Sequence, residues 1–374
     1  MLNSLVIKNF RNLKDLKIDS LGRVNLIVGD NNAGKTSLLE AVGIYATRGD
    51  LRFIYDLLEA RGEVDETVKG KVDEYEANKR MLSSLFTNRT LGLEGNEEAI
   101  SIGQIFEEEG SSHATVLLQS FKFAEERDKE GFMRKSRVLA SFQMNENHAV
   151  VVRIGFEIKV GEQSIMAVPI DEARLFRTRL NFREDLRGIA QLIRSKDINR
   201  EINGRLWDKI ALTEEEIHVI EAMKIVEPSI ERIAFIKGGA GGRKAVVKLS
   251  GMPHVLPLQS MGDGMNRILT VVLALVNCGN GCLLIDEFEN GLYHTVQKKL
   301  WEIVFRLSKK LNVQVFATTH SEDCIAGFGE ALNSPNIALD GKLIRIENKK
   351  GMIRAVEYTP KEIRMATEHH IETR

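Results

Sequence analysis

The sequence predicts an α/β fold, and three observations carry that prediction. A glycine-rich loop, Gly29 to Thr36, follows the apolar run "VNLIVG" and precedes a stretch in which Leu38, Leu39, Val42 and Ala46 recur at helical spacing. Two further apolar runs, "GCLLID" at 281–286 and "VQVFATT" at 313–319, are short, and each follows a helical stretch. Runs of that length and composition are typical of parallel strands buried on both faces.

The remaining elements follow in order. Residues 1–28 read as a short meander, in which "LNSLVIKNF" and "LKDLKID" alternate with period two around a turn at Arg11–Asn12. Residues 47–90 are charged and helical in pattern. From about 98 to 170, strand-like runs alternate with polar turns, as in an antiparallel sheet or lobe. Residues 171–227 carry helix signals, with Thr213 and Glu216 spaced as a capping box and Pro228 as a stop. The stretch "IERIAFIKGGAGGRKAVVKLS" is a hairpin with a glycine-rich turn, and the tail is a second hairpin followed by a short helix.

Composition narrows the class. At 374 residues, one large elaborated domain or two domains are expected. Hydrophobic content of 43% and charged content of 28% are those of an ordinary soluble protein. The formal net charge of −1, from 52 basic and 53 acidic residues, argues against a uniformly basic nucleic-acid binder but leaves room for a local patch. Three cysteines form no disulfide framework and fit a reducing interior. Cys278 and Cys282 read as core residues, because no second Cys/His pair completes a metal site. The longest apolar run, "ILTVVLALVNC", is too short to cross a bilayer, and the N-terminus alternates as a strand does. A cytoplasmic protein is expected.

Three motifs carry chemistry. Gly29-Asp30-Asn31-Asn32-Ala33-Gly34-Lys35-Thr36 matches the phosphate loop G-x-x-x-x-G-K-[ST] in full, with the required strand before and helix after. Its backbone N–H groups and the helix N-terminus favour phosphate. Lys35 would reach the β- and γ-phosphates, Thr36 would ligate Mg²⁺, and Ser37 is the next donor. Asp286 closes the second apolar run, at the strand end where open α/β sheets bind ligands, and is the second expected ligand of the metal shell. Glu287 beside it can turn toward the γ-phosphate and orient or deprotonate a water. His320, after the third run, can hydrogen-bond the γ-phosphate. Before the Asp-Glu strand lies "LPLQSMGDGMNR", where Ser260, Gly262, Asp263 and Gly264 form a polar turn opening an apolar helix, a ready anion cradle.

That order of motifs resembles the ABC-type ATPase head. "NFRNLKDLKI", "GDNNAGKTSLLEA", "SMGDG" and "IDEFENGLYHTVQKKLW" are similar to the RecF/SMC/OLD-like AAA-family ATPases of prokaryotes, over about residues 1–48 and 250–350. The resemblance implies a P-loop NTPase of ABC-ATPase type: a mixed sheet core with an N-terminal antiparallel β lobe and an inserted helical lobe. It implies ATP and Mg²⁺ as ligands, with Lys35, Glu287 and His320 catalytic. It further implies that Ser260, Gly262, Asp263 and Gly264 serve the nucleotide of a second copy, in an ATP-dependent homodimer or larger assembly. Gln259 and Met261 depart from the commoner Leu-Ser-Gly-Gly form. By the same resemblance "ENGLYH" occupies the D-loop, Arg11 and Asn32 line the nucleotide and the facing subunit, and Gln104 is a candidate for the glutamine loop.

Expected boundaries are 1–90 for the first half of the ATPase core, 91–170 for a β-rich lobe, 171–230 for an inserted helical lobe, and 231–374 for the second half. Within the insertion Arg174, Arg177, Arg179, Arg183, Arg187, Arg194, Lys196 and Arg200 make a basic stretch. It can contact nucleic acid phosphates or form a solvated helix face. OLD-type proteins continue into a Toprim nuclease domain, and nothing after residue 350 supplies its acids, so a separate effector or nuclease subunit is the expected partner. A DNA-repair ATPase acting by itself and a nucleotide-gated scaffold with negligible turnover are the rival readings. No membrane partner is expected.

Overall fold

The computed structural model describes residues 1–64, 71–92, 98–105, 115–127, 133–138, 151–170, 189–194, 200–238, 243–334 and 340–368. Two sheets enclose one helix. The first is antiparallel, in the order β2 (Leu13–Ile18), β1 (Leu5–Phe10), β4 (Ile100–Gly103), β5 (Val116–Arg127), β7 (Val151–Val160) and β8 (Gln163–Pro169), with β6 (Met133–Val138) also paired to β5. The opening hairpin thus shares a sheet with the strands beyond residue 98. The second is the central sheet, ordered β16 (Met352–Tyr358), β15 (Gly341–Lys349), β3 (Val24–Gly29), β14 (Gln314–Thr318), β13 (Cys282–Ile285) and β9 (Ala190–Ile193). Its neighbours are parallel except for the β15–β16 hairpin.

The period-two geometry of β3 explains why it is buried throughout. Val24, Leu26 and Val28 face one core while Ile27 faces the other. On the Ile27 side, α1 (Lys35–Ala46) lies between the sheets, with α2 (Leu51–Ala60) and α3 (Lys71–Ser83) beside it. Close approach there depends on Gly43 of α1, since a Cβ at that position would collide with the Phe53 ring and lie 2.9 Å from Leu284. Gly29, with φ 141°, is forced by the sheet itself, because a Cβ would run into the Ile346 carbonyl of β15.

On the other side of the central sheet pack α4 (Arg200–Ile210), α5 (Glu214–Val226), α6 (Asp263–Val276), α7 (His294–Lys310) and α8 (Glu322–Leu332). The small sheet β10 (Ile230–Lys237), β11 (Arg243–Leu249) and β12 (Leu256–Pro257) joins this layer. Helix α6 is apolar nearly all round because it is buried all round, and each fully buried aliphatic side chain contributes about 1.5–3 kcal/mol. A last helix, α9 (Pro360–Glu368), follows the hairpin. No helix among the described residues is long and apolar enough to cross a membrane.

Three expectations change. The helix signals of 171–227 conceal β9, a four-residue strand that hydrogen-bonds β13 in parallel. Thr213 and Glu216 do not close a capping box: Glu216 accepts the Leu212 N–H at 2.7 Å, and the Thr213 hydroxyl donates to the Ile210 carbonyl. The short linker between α4 and α5, with Leu212 at φ 67°, shifts the contact back by one residue. Gln104 accepts the Asn3 N–H at 2.9 Å near the start of β1, where Gly103 pairs with Val6, and the phosphate loop lies beyond the other end of that strand. It does not fill a glutamine-loop role at the nucleotide. Of the basic stretch, Arg194 and Arg200 are described and the other six residues lie outside the described residues. Cys278 and Cys282 are free and buried, and burial pushes Cys282 up to about 12.

Candidate active site at the carboxyl edge of the central sheet

The chain leaves β3 at Gly29, loops through Asp30–Ala33, and re-enters helix at Lys35. Asn32 (φ 62°) and Gly34 (φ 103°) take left-handed conformations that reverse the backbone around a small volume. Asp30 and Asn31 are exposed, Ala33 is buried, and the Ala33 N–H donates to the Asp30 carbonyl at 3.3 Å. Lys35 is 6% exposed. Its Nζ donates to the carbonyls of Gly29 (2.6 Å) and Asp30 (2.8 Å) and lies 3.4 Å from His320 Nδ1. Burial pulls its pKa down, against the opposing pull of Asp286, Asp30, Glu289 and Glu287. Ser37 is buried in the first turn of α1.

The parallel register of β13 and β14 brings their ends to the same place. Thr36 Oγ1 donates to both Asp286 oxygens at 3.2 Å, and Thr318 Oγ1 donates to Asp286 Oδ1 at 2.7 Å. Glu287 has left the strand: its φ is 51°, and its N–H donates to Thr318 Oγ1 at 2.9 Å. Glu289 accepts from the Thr319 hydroxyl (2.7 Å) and the His320 N–H (2.8 Å), tying the turn after Glu287 to the histidine loop. Thr36 and Asp286 offer hydroxyl and carboxylate oxygens side by side, the hard donor set that fits Mg²⁺ completed by water and phosphate oxygens.

Beside the loop is a cavity of about 440 Å³, lined by Lys35, Thr36 and Ser37 and also by Arg11, Asn32, Arg61, Phe86 and Arg89. Arg11 holds Glu40 through Nε (2.7 Å) and Glu63 through Nη1 (3.1 Å), while Arg61 takes the other Glu40 oxygen at 2.7 Å. The Nη2 of Arg11 is buried and makes no hydrogen bond among the described residues. Glu40, Arg61, Glu63 and Arg89 escaped sequence reasoning. Glu40 alone left a trace, as a lone acid in the otherwise uncharged run "TSLLEAVGIYA".

Ser260, Gly262, Asp263 and Gly264 stand apart from that site. No hydrogen bond among the described residues links Ser260–Gly264 to Gly29–Ser37. A short turn, Leu258–Met261, precedes Gly262 (φ 98°), and α6 starts at Asp263. Ser260 Oγ donates to the Pro257 carbonyl at 2.7 Å. Ser260, Gly262 and Asp263 are exposed, and a Cβ on Gly262 would meet nothing. The Gly262 N–H donates to the Gln259 carbonyl at 3.2 Å and the Met265 N–H to the Gly262 carbonyl at 3.2 Å, which leaves the first-turn N–H groups of Asp263 and Gly264 without a helical acceptor.

Comparison with known proteins finds two family models. Residues 1–131 match an AAA ATPase domain, and residues 153–323 match an AAA domain whose description adds a candidate AbiEii toxin of a Type IV TA system. An ATP/GTP phosphatase of Helicobacter pylori is 23% identical over 360 residues, covering 92% of this chain and 91% of the relative. The DNA replication and repair protein RecF of Oenococcus oeni is 54% identical over 43 residues, 12% of each chain. Among solved structures, an SMC head bound to the C-winged helix domain of ScpA has a TM-score of 0.52 at 14% identity, over 96% of this chain and 98% of that one, a likeness of fold.

Proposed function

The chain is an AAA-type ATPase of the ABC/SMC-like kind, and from that premise we propose that it hydrolyses Mg-ATP in sites shared between two copies. One observation carries the shared site. The Ser260–Gly264 turn opens helix α6 with Ser260, Gly262 and Asp263 exposed, and among the described residues it makes no hydrogen bond to the phosphate loop of its own chain. A second copy is the natural supplier of the phosphate.

In this reading Lys35 exchanges its two carbonyl partners for the β- and γ-phosphates, and the N–H groups at Gly34–Ser37 cradle them. Thr36 and Asp286 would hold Mg²⁺, which neutralises phosphate charge when bound. Arg11, which lines the cavity beside the phosphate loop, adds positive charge next to the nucleotide. Glu287, half-buried at the strand end, orients the attacking water and takes its proton. His320, held by Glu289, hydrogen-bonds the γ-phosphate. Ser260, Gly262, Asp263 and Gly264 of the facing copy close the site, with Asp263 setting the helix start rather than touching phosphate.

We further infer that closure and hydrolysis control a separate effector, a nuclease by resemblance, in bacterial anti-phage defence. The toxin–antitoxin wording of one family description supports defence. The short RecF stretch supports direct action in DNA repair as a second reading.

The test is solution mass with and without Mg-ATP. Glu287→Gln, which should bind ATP and stall, is expected to enlarge to a dimer or beyond, and Ser260→Arg placed in the same background should abolish the change. A mass indifferent to ATP sinks the shared site. Stimulation of turnover by DNA would favour the repair reading.

A further inference from the structure

Helix α6 buries an arginine. Arg267, one turn inside the Ser260–Gly264 cradle, is 0% exposed. Its Nη2 donates to the main-chain carbonyls of Glu287 (2.9 Å) and Asp286 (3.3 Å). A guanidinium taken wholly out of water carries a desolvation cost of several kcal/mol, and an apolar side chain of similar volume often serves folding as well or better. Core packing alone therefore gives no reason for this residue type.

The geometry of Glu287 gives one. Its left-handed φ of 51° is a conformation that a non-glycine residue adopts at a cost. Contacts from three directions hold it there. Thr318 Oγ1 fixes its N–H. Arg267 fixes its carbonyl, which also accepts the Asn290 N–H that starts the next turn. Phe288, the following residue, is anchored by stacking on Trp301, with ring centroids 3.7 Å apart and planes 6° from parallel. Two of these directions are the central sheet, where the Phe288 N–H also donates to the Thr318 carbonyl at 2.9 Å, and α7. The third comes from α6, whose N-terminus forms the cradle and packs against Gly291, where a Cβ on Gly264 would lie 3.4 Å from the Gly291 carbonyl.

We propose that Arg267 is a positioning residue for hydrolysis: it holds the Glu287 main chain in the left-handed turn that aims the carboxylate, and so ties Glu287 to the helix that carries the cradle. A phosphate seated on that cradle by a second copy then acts on the water-orienting group of this copy through one side chain. The inference rests on Glu287 being the group that orients the water.

Hydrolysis, ATP affinity and thermal unfolding should be measured for Arg267→Met, Arg267→Lys, Glu287→Gln and the double variant Arg267→Met with Glu287→Gln. Arg267→Met should lower kcat by about 10²-fold, the usual effect of an ångström-scale misplacement, with ATP affinity and Tm close to those of the parent. Arg267→Lys keeps the charge, reaches at most one of the two carbonyls, and should fall between. The double variant should be no slower than Glu287→Gln alone, because both changes act on one group. Turnover of Arg267→Met within about threefold of the parent, or losses that multiply in the double variant, would overturn the proposal. If Arg267→Met does not fold, Arg267→Lys combined with Glu287→Gln carries the same comparison. Should Glu287→Gln hydrolyse ATP at the parental rate, the assignment of Glu287 fails first. If Glu287→Gln stalls while the Arg267 variants turn over normally, the proposal about Arg267 fails alone.

Discussion

Lys35 is held by two main-chain carbonyls in a pocket whose burial disfavours its charge. Its pKa is lowered in the folded chain, so it sheds its proton at a lower pH than a free lysine. The unfolded chain binds more protons in that window, and stability of the nucleotide-free protein rises with pH through it. ATP needs the ammonium, so affinity should fall over the same alkaline window and binding should take up a proton. Calorimetric titration in buffers of different ionisation heat, repeated as the pH is raised toward the ordinary lysine pKa, should show that uptake. Binding without proton exchange across the whole window would contradict it. Lys35, Thr36, Asp286 and Glu287 were readable in the sequence because each lies in a contiguous motif with its own flanking strand. The partners Glu40, Arg61 and Arg267 were not, since a buried charge acquires its meaning from residues distant in the chain, such as the Glu287 carbonyl for Arg267.

At the scale of elements, α1 carries phosphate chemistry at one end and a packing constraint in the middle. Gly43→Ala gains roughly 1 kcal/mol of helix propensity but drives a Cβ into Phe53. The net effect should be a loss of roughly 1–3 kcal/mol, read as a lower denaturant midpoint with an unchanged slope. A midpoint equal to or above the parent's would mean that α2 can shift at little cost. The strands β3, β13 and β14 were legible as short apolar runs between breakers, and their ends located the site. Strand β9 was not, because four residues, "AQLI", show no distinct period and acquire strand character only by pairing with β13. The capping box failed for a related reason. The spacing of Thr213 and Glu216 was right, but the linker geometry redirected Glu216 to Leu212.

At the scale of the molecule, the central sheet is assembled from the whole length of the chain. The split α/β core was apparent in the order of the motifs, whereas the merger of β1 and β2 with β4–β8 into one sheet was not, since strand pairing across long separations leaves no local trace. The strand that ends in the phosphate loop lies between β14 and β15, and Ile346 of β15 is the register partner of Gly29. During synthesis the loop therefore emerges from the ribosome long before either neighbour that shapes it. A nascent chain ending at residue 334 and tethered by a linker long enough to clear the exit tunnel has the full phosphate-loop motif, both acids and β14 but no β15, and it should fail to retain a fluorescent ATP analogue. The 374-residue chain, extended by the same linker beyond the exit tunnel, should retain it. Retention by the shorter chain would mean that the loop forms without its edge. Otherwise the order of translation itself keeps an unfinished ATPase from engaging nucleotide.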